Sequence, residues 1–326
     1  MPVSAATSHE PLPFHGTSTD AKRVRLLRDV GKWVNEGGTT RKDLADVLQH
    51  QMEPNASKDL VANLFSQDHS AVNDNVNGLT ILCDFYTDLH SGAESLGLTE
   101  DEARAIGVAN SDLALKYVSI KAHEPQSNLV SKCLDVVDAV LALLRSVEYQ
   151  LTEPEALCFI PTLVHKVRKY IRYWSPEATH SLRQFGDARE PIRVRVQQIF
   201  QTLPKVYAYS RVFQLVLEHG SKSKVAKTRQ LSLDELGGIL KRSGMGACNP
   251  TKDCPVIASM ISDKDPGVRK SALTTLRFVS SNFEVYLPIQ TGFSVKSTCL
   301  RARKFGLSSV LSTLRTRRNL KRGCAA

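Results

Sequence analysis

Cysteines, histidines and paired carboxylates have the widest chemical range in this sequence, and their spacing gives them no reaction to perform. The seven cysteines are an odd number, and Cys248 and Cys254 stand too far apart for a C-x-x-C pair. No grouping of His and Cys has the spacing of a zinc site. Cys83, Cys133 and Cys158 fall inside apolar helical patterns, where a thiol behaves as a small hydrophobe, so reduced core thiols are expected. There is no G-x-x-x-x-G-K-[ST], no G-x-S-x-G and no H-E-x-x-H; the phosphate cradle, nucleophile elbow and zinc-bound water that those motifs build are therefore not expected. Asp234 and Glu235 follow a turn on an amphipathic stretch and read as a solvated face. The chain is read as a binding protein, not an enzyme, with no cofactor and no metal.

Charge is the chemistry that remains. A net charge of +10 would suit a phosphate backbone if the cations covered a folded face. They do not. Lys296, Arg301, Arg303, Lys304, Arg315, Arg317, Arg318, Lys321 and Arg322 fall between 291 and 326, a stretch without Asp or Glu. Without those nine, residues 1–290 carry 34 basic against 33 acidic side chains, so the body is nearly neutral and specific nucleic-acid binding is not expected. Residues 291–326 read as a disordered basic tail. No apolar run approaches the roughly 18 residues of a membrane span, and the first twenty residues lack the basic-then-apolar order of a signal peptide. A cytoplasmic protein without membrane contact is expected.

The chain is long enough, and at 42% hydrophobic apolar enough, to bury a sizeable core. Residues 1–20, rich in Pro, Ser and Thr, read as a disordered lead. From Lys22 onward apolar residues recur with helical period, as in Leu113, Tyr117, Ile120 and in Val130, Leu134, Val137, Leu141, Leu144. The chain is predicted to be all-α. Its helical segments come in pairs. In SDKDPGVRKSAL (262–273) Asp265 suits an N-cap and Pro266 the first helical position. This D-x-D-x-x-V-R string resembles a HEAT repeat at its internal turn. GDAREPIRVRV (186–196) and GSKSKVAKTRQLSLDELG (220–237) repeat the plan, with weaker copies near 122–128 and 66–78. Recurrence every 30 to 45 or so residues marks an α-solenoid, whose helix pairs bury apolar faces only against their neighbours. Five pairs are predicted, at about 58–90, 107–147, 152–207, 209–243 and 250–281, with a degraded sixth from 282; helices near 24–34 and 41–52 are expected to cap the first pair.

The stretch VFQLVLEHGSKSKVAKTRQLSLDELGGILKRSGMGACNPTKDCPVIASMISDKDPGVRKSALTTL (212–276) resembles the second half of a TOG domain of the ch-TOG and mini spindles family of microtubule polymerases. LTEPEALCFIPTLVHKV (151–167) and GDAREPIRVRV are similar to the family's third repeat, NSDLALKYVSIK (110–121) to its second, and LLRDVGKWVNEGGTTRKDLADVLQHQM (26–52) to its lead-in. The resemblance covers about 22–280 and is nearest to the fourth domain of the family's array. It implies a flat, paddle-shaped domain at 21–290, about six HEAT repeats long, whose intra-repeat turns grip αβ-tubulin. Further implications are one domain of a longer array, monomeric, on microtubules, spindle and spindle poles, supporting plus-end growth.

Tubulin is acidic, so such an edge needs cations on successive turns. Arg189 in the third turn, Lys222, Lys224 and Lys227 in the fourth and Lys264 in the fifth stand at positions matching the family, with Lys121 and His123 as candidates in the second. A lone turn lysine is ordinarily just solvated; the weight comes from several on one edge. Arg193, Arg229 and Arg269 follow their turns by one offset, a position that in HEAT repeats more often bonds the turn's own carboxylates or carbonyls than a partner, so Arg193 and Arg269 are secondary candidates.

Three departures qualify the resemblance. Many TOG domains carry an aromatic on the first turn; here SQDHSAVND (66–74) has none, and His69 is the nearest substitute. Residues 168–184, RKYIRYWSPEATHSLRQ, interrupt the family pattern, either as a retained intron, since Arg-Lys-Tyr can be encoded with GTAAGT and Gln184 with CAG, or as a basic-aromatic loop carrying Trp174. The basic tail occupies the place of the sixth repeat. A second reading therefore stands beside tubulin binding: a HEAT scaffold for other spindle-pole or kinetochore proteins.

Overall fold

The protein is described from a computed structural model covering residues 11–34, 40–67, 71–169 and 189–283. The inserted segment beyond residue 169 and the basic tail lie outside these residues. The described residues form twelve α-helices, with short 3-10 turns before α5, α9, α11 and α12, and no strand beyond an isolated bridge between Phe14 and Ala56. None of these helices is long and apolar enough to cross a membrane.

Two compact units divide the chain, Met1–Ala208 and Tyr209–Ala326. In the first, α1 (Thr19–Val34) and α2 (Arg41–Met52) precede three pairs: α3 (Lys58–Phe65) with α4 (Ala71–Ser91), α5 (Glu100–Lys121) with α6 (Ser127–Ser146), and α7 (Glu153–Lys169) with α8 (Arg189–Thr202). Second helices stack on one another, α4 on α6 and α6 on α8, while α5 lies against α7. The second unit pairs α9 (Tyr209–Ser221) with α10 (Ala226–Ser243) and α11 (Pro250–Ser259) with α12 (Pro266–Phe283), and α10 packs along α12. This is the all-α, HEAT-like pairing that the sequence predicted.

Local chemistry sets the helix ends. Thr40 and Asp43 at α2, and Thr99 and Glu102 at α5, form reciprocal capping boxes that satisfy donors a helix start leaves open. The C-terminus of α10 reaches Gly244 at φ +75°, in the left-handed region where a Cβ is unfavourable. Gly220 lets α9 approach α10 closely: a Cβ there would lie 2.3 Å from that of Ser232.

The first unit is organised around α5, and here the structure corrects the sequence reading twice. Leu113, Tyr117 and Ile120 form the expected apolar stripe, but every residue from Ile106 to Ile120 is buried, including Asn110, Ser111, Asp112, Lys116 and Ser119. Their partners come from α1, which does not cap the first pair; it packs on α5 and α7, and α2 touches α5 as well as α3. Lys22 Nζ donates to Val108 O at 2.7 Å and Ser111 Oγ at 2.8 Å and pairs with Glu155. Arg25 reaches both oxygens of Asp112, at 2.8 and 3.3 Å. Lys116 Nζ stands 3.0 Å from Asp29 and 3.5 Å from Asp112, and Gln51 donates to Asp29 at 2.7 Å. Trp33 donates to Ser119 at 3.1 Å. Three buried cations thus meet three buried carboxylates, and that neutrality is what makes burying them tolerable.

The second correction concerns the lead. Residues 11–18 are not a disordered linker: Phe14 is fully buried with its ring 6.0 Å from that of Phe85. Around it His15 N donates to Asn55 O and Ser57 N to Pro13 O, both at 3.0 Å, and Asn110 Nδ2 donates to Gly16 O at 2.6 Å. One aromatic ring with a hydrophobic seat outweighs the Pro and Ser around it. Residues 1–10 lie outside the described residues.

Candidate functional site

In the second unit the fourth and fifth turns lie side by side, and one side chain joins them. Arg229 leaves the start of α10 and donates from Nη1 to Ser223 O in its own turn at 2.9 Å. Its Nε and Nη2 reach Asp263 in the next turn at 2.7 and 2.8 Å, the bidentate geometry that a guanidinium fits and an ammonium cannot. Arg269 holds the fifth turn, donating to Asp263 O and Lys264 O at 2.9 Å each, while Asp265 Oδ1 accepts from Val268 N at 3.0 Å and caps α12. The turns are held by arginines, and the lysines beside them project.

These lysines differ in what they have left to offer. Lys222 pairs with Glu218 at 3.0 Å across an exposed surface, and Lys227 donates to Gln230 at 3.0 Å. Lys224 and Lys264 are exposed, and neither ammonium has an ion pair or hydrogen bond among the described residues. Asp263 is taken up by Arg229, so it does not neutralise Lys264 directly. Among the described residues, the lysines of this edge without a carboxylate partner are therefore Lys224, Lys227 and Lys264, and Lys227 is held by a neutral amide while Lys224 and Lys264 are not held.

The second turn, in the first unit, is weaker. Lys121 is half-buried with its ammonium 5.9 Å from the Tyr117 ring centre; burial lowers its pKa, and nearby Glu124 opposes that shift. His123 is half-buried next to Glu124 and has partners of its own. His69 and the side chains of Arg189 and Arg193 lie outside the described residues. What the structure brings together is the set Lys222, Lys224, Lys227 and Lys264 around Arg229 and Arg269.

Sequence reading missed Asp263 as the partner of Arg229 and Gln230 as the partner of Lys227. The D-x-D string flagged the carboxylate, but a contact 34 residues away has no local signal. It also placed Glu235 on a solvated face, whereas that carboxylate is largely buried against Arg242 at 2.6 Å, and burial raises its pKa despite the pairing. Burial pushes the Cys158 and Cys254 thiols up to about 12 and Cys248 to about 11, so thiolate is scarce at these three at neutral pH. Cys83 is only half-buried, and burial raises it too. No group of three His, Cys, Asp or Glu among the described residues is placed to hold a metal.

The Arg229–Asp263 bridge gives an acid signature. Hydrogen bonds from Arg229 hold the Asp263 carboxyl below its usual 3.8, outweighing the burial that would raise it. A depressed carboxylate contributes its full stability above 3.8 and loses it as pH falls through the lower folded value. Asp263→Asn is therefore expected to cost about 1.5–3 kcal/mol at pH 7. The gap to the parent in urea midpoint should close as pH falls below 3.8; a gap independent of pH would refute the bridge.

Paired helices whose turns are pinned by such arginines define a HEAT-type repeat domain. No family model matches the chain. Among curated proteins it is 29% identical over 264 residues to Protein mini spindles of Drosophila melanogaster, a match spanning 79% of this chain and 11% of that protein. It is 25% identical over 171 residues to Protein MOR1 of Oryza sativa subsp. japonica, over 52% of this chain and 8% of that one. The chain thus spans about a tenth of the length of these relatives. A structure solved in a study of how TOG–tubulin binding specificity promotes microtubule dynamics and mitotic spindle formation superposes with TM-score 0.64 at 27% identity, covering 89% of this chain and 99% of that one. The TOG domain of Caenorhabditis elegans Zyg9 matches at TM-score 0.66 and 19% identity, over 92% and 100% of the two chains. The chain is thus similar to the TOG domains of the family that includes mini spindles.

Proposed function

We propose that this domain binds αβ-tubulin through the basic intra-repeat turns and supports microtubule plus-end growth and spindle organisation, on cytoplasmic microtubules, the spindle and its poles. The observation that carries the reading is the pair of exposed cations Lys224 and Lys264, without a partner among the described residues, on turns locked together by Arg229. A rigid cationic edge attracts an acidic surface and fixes its register without reorganising on contact. Similarity to mini spindles and to a structure from a study of TOG–tubulin binding specificity supports the choice of tubulin. Lys222, Lys227, Lys121, His123, Arg189, His69, Arg193 and Arg269 extend the proposed edge, with Arg269 already spent on its own turn. The domain acts as a monomer, and of the family's array it corresponds to the fourth.

A second reading, a scaffold for other spindle-pole or kinetochore proteins, is favoured by the first turn, where an aromatic anchor is missing from residues 66–74. One experiment separates the two. The full chain run with tubulin on a sizing column at low salt is expected to co-elute, and Lys224→Glu with Lys264→Glu to abolish co-elution while helical content stays unchanged. Raising salt should weaken the parent complex, since exposed pairs are screened over about 8 Å at physiological ionic strength. Co-elution of the double variant at parental strength would reject this edge, and no co-elution of the parent would favour the scaffold.

A further inference from the structure

Helix α1 is built inside out. Its buried face carries Lys22, Arg25 and Asp29 with Leu26, while Val24 and Leu27, one turn apart, are 64% and 62% exposed and are the most exposed large hydrophobics among the described residues. A surface helix normally turns its apolar stripe to the core; here the core side is already committed to the charges that α5 and α7 hold. Among the described residues nothing covers the apolar side chains at 24 and 27.

The surroundings of this stripe select its occupant. Arg23, Arg28 and Lys32 flank it and are exposed, against the single exposed carboxylate of Asp20; Asp29, beside Arg28, is buried facing Lys116. A second copy docking through the same face would bring like charges together. The tail at 291–326 has nine cations and no acid, and residues 1–10 offer only Glu10. None of these complements the rim. We propose that the outer face of α1 is a docking surface for an acidic amphipathic helix of a partner protein, with Val24 and Leu27 seated between apolar side chains at i, i+3 and i+7 of that helix and its carboxylates on Arg23, Arg28 and Lys32.

The test uses the full chain and a fluorescein-labelled synthetic peptide, an 18-residue or so helix of leucines at i, i+3, i+4, i+7 spacing with glutamates between. Anisotropy titration is expected to show binding at least tenfold tighter than that of a scrambled peptide of the same composition. Val24→Glu with Leu27→Glu should erase the difference while helical content and denaturant midpoint hold. Arg23→Glu with Lys32→Glu, which leaves the apolar pair intact, should weaken binding about tenfold and remove most of its salt dependence. Equal binding of the scrambled peptide, or full binding by the Val24/Leu27 variant, overturns the proposal. So does sedimentation showing a dimer of the parent that the same variant loses, because the face would then serve self-association.

Discussion

Lys116→Met is expected to destabilise the first unit by about 3–5 kcal/mol, the cost of leaving buried carboxylates without their cation. Lys116 and its partners Asp29 and Asp112 all have side chains fully removed from solvent. Methionine fills a similar volume, so the loss isolates charge from packing. Asp112 keeps Arg25, and Asp29 keeps Gln51 and a rim contact from Arg28, which places the damage mainly at Asp29. Burial by itself would raise the Asp29 carboxyl, but the charge and hydrogen bond of Lys116, with hydrogen bonds from Gln51 and Arg28, hold it below its usual value. Its contribution is complete above 3.8 and disappears as pH falls through the depressed value, so the parent should weaken in acid more steeply than Lys116→Met. Urea unfolding of parent, Lys116→Met, Asp29→Asn and the double variant would measure the coupling. The double variant should lose less than the two singles added together; strict additivity would mean that the pair does not interact.

Phe14→Ala is expected to cost about 3–5 kcal/mol, the usual loss for a large aromatic cut from a tight core. That is a large effect for a residue in a Pro- and Ser-rich lead, and it separates a linker from a structural strap. Phe14 has no exposed surface and packs at a tilt of 57° against Phe85, which in turn lies edge-on to Tyr86. Flanking backbone hydrogen bonds to Asn55 and Ser57 keep the strap in register. Protease susceptibility offers a second readout: cleavage after Phe14 should be slow in the parent and fast at neighbouring sites in the alanine variant. A denaturant midpoint unchanged by Phe14→Ala would return the lead to the status of a linker.

Several features were settled by the sequence itself. Apolar residues at helical spacing, with Gly and Pro between the segments, determined an all-α chain of paired helices, because that period has no other way to bury its stripe. Turn strings such as SDKDPGVRKSAL marked where a pair bends, since Asp265 and Pro266 act within their own helix. Near-neutrality of residues 1–290 followed from counting alone.

Other features appeared only once the helices were packed. No local pattern marks Lys22, Arg25 and Asp29 as buried; they are buried because Asp112, Lys116 and Glu155 lie opposite them, about 85 to 130 positions further on. For Arg229 and Arg269 the sequence offset already pointed to bracing their own turns, as they do, but the partner Asp263 of Arg229 sits on another hairpin, and only packing showed that this arginine joins two turns while Lys224 and Lys264 have no partner among the described residues. Local periodicity reports which face of a helix is apolar. Whether a charge on the other face meets water or an opposite charge depends on what the tertiary fold sets against it, and the gap between those outcomes is several kcal/mol per ion.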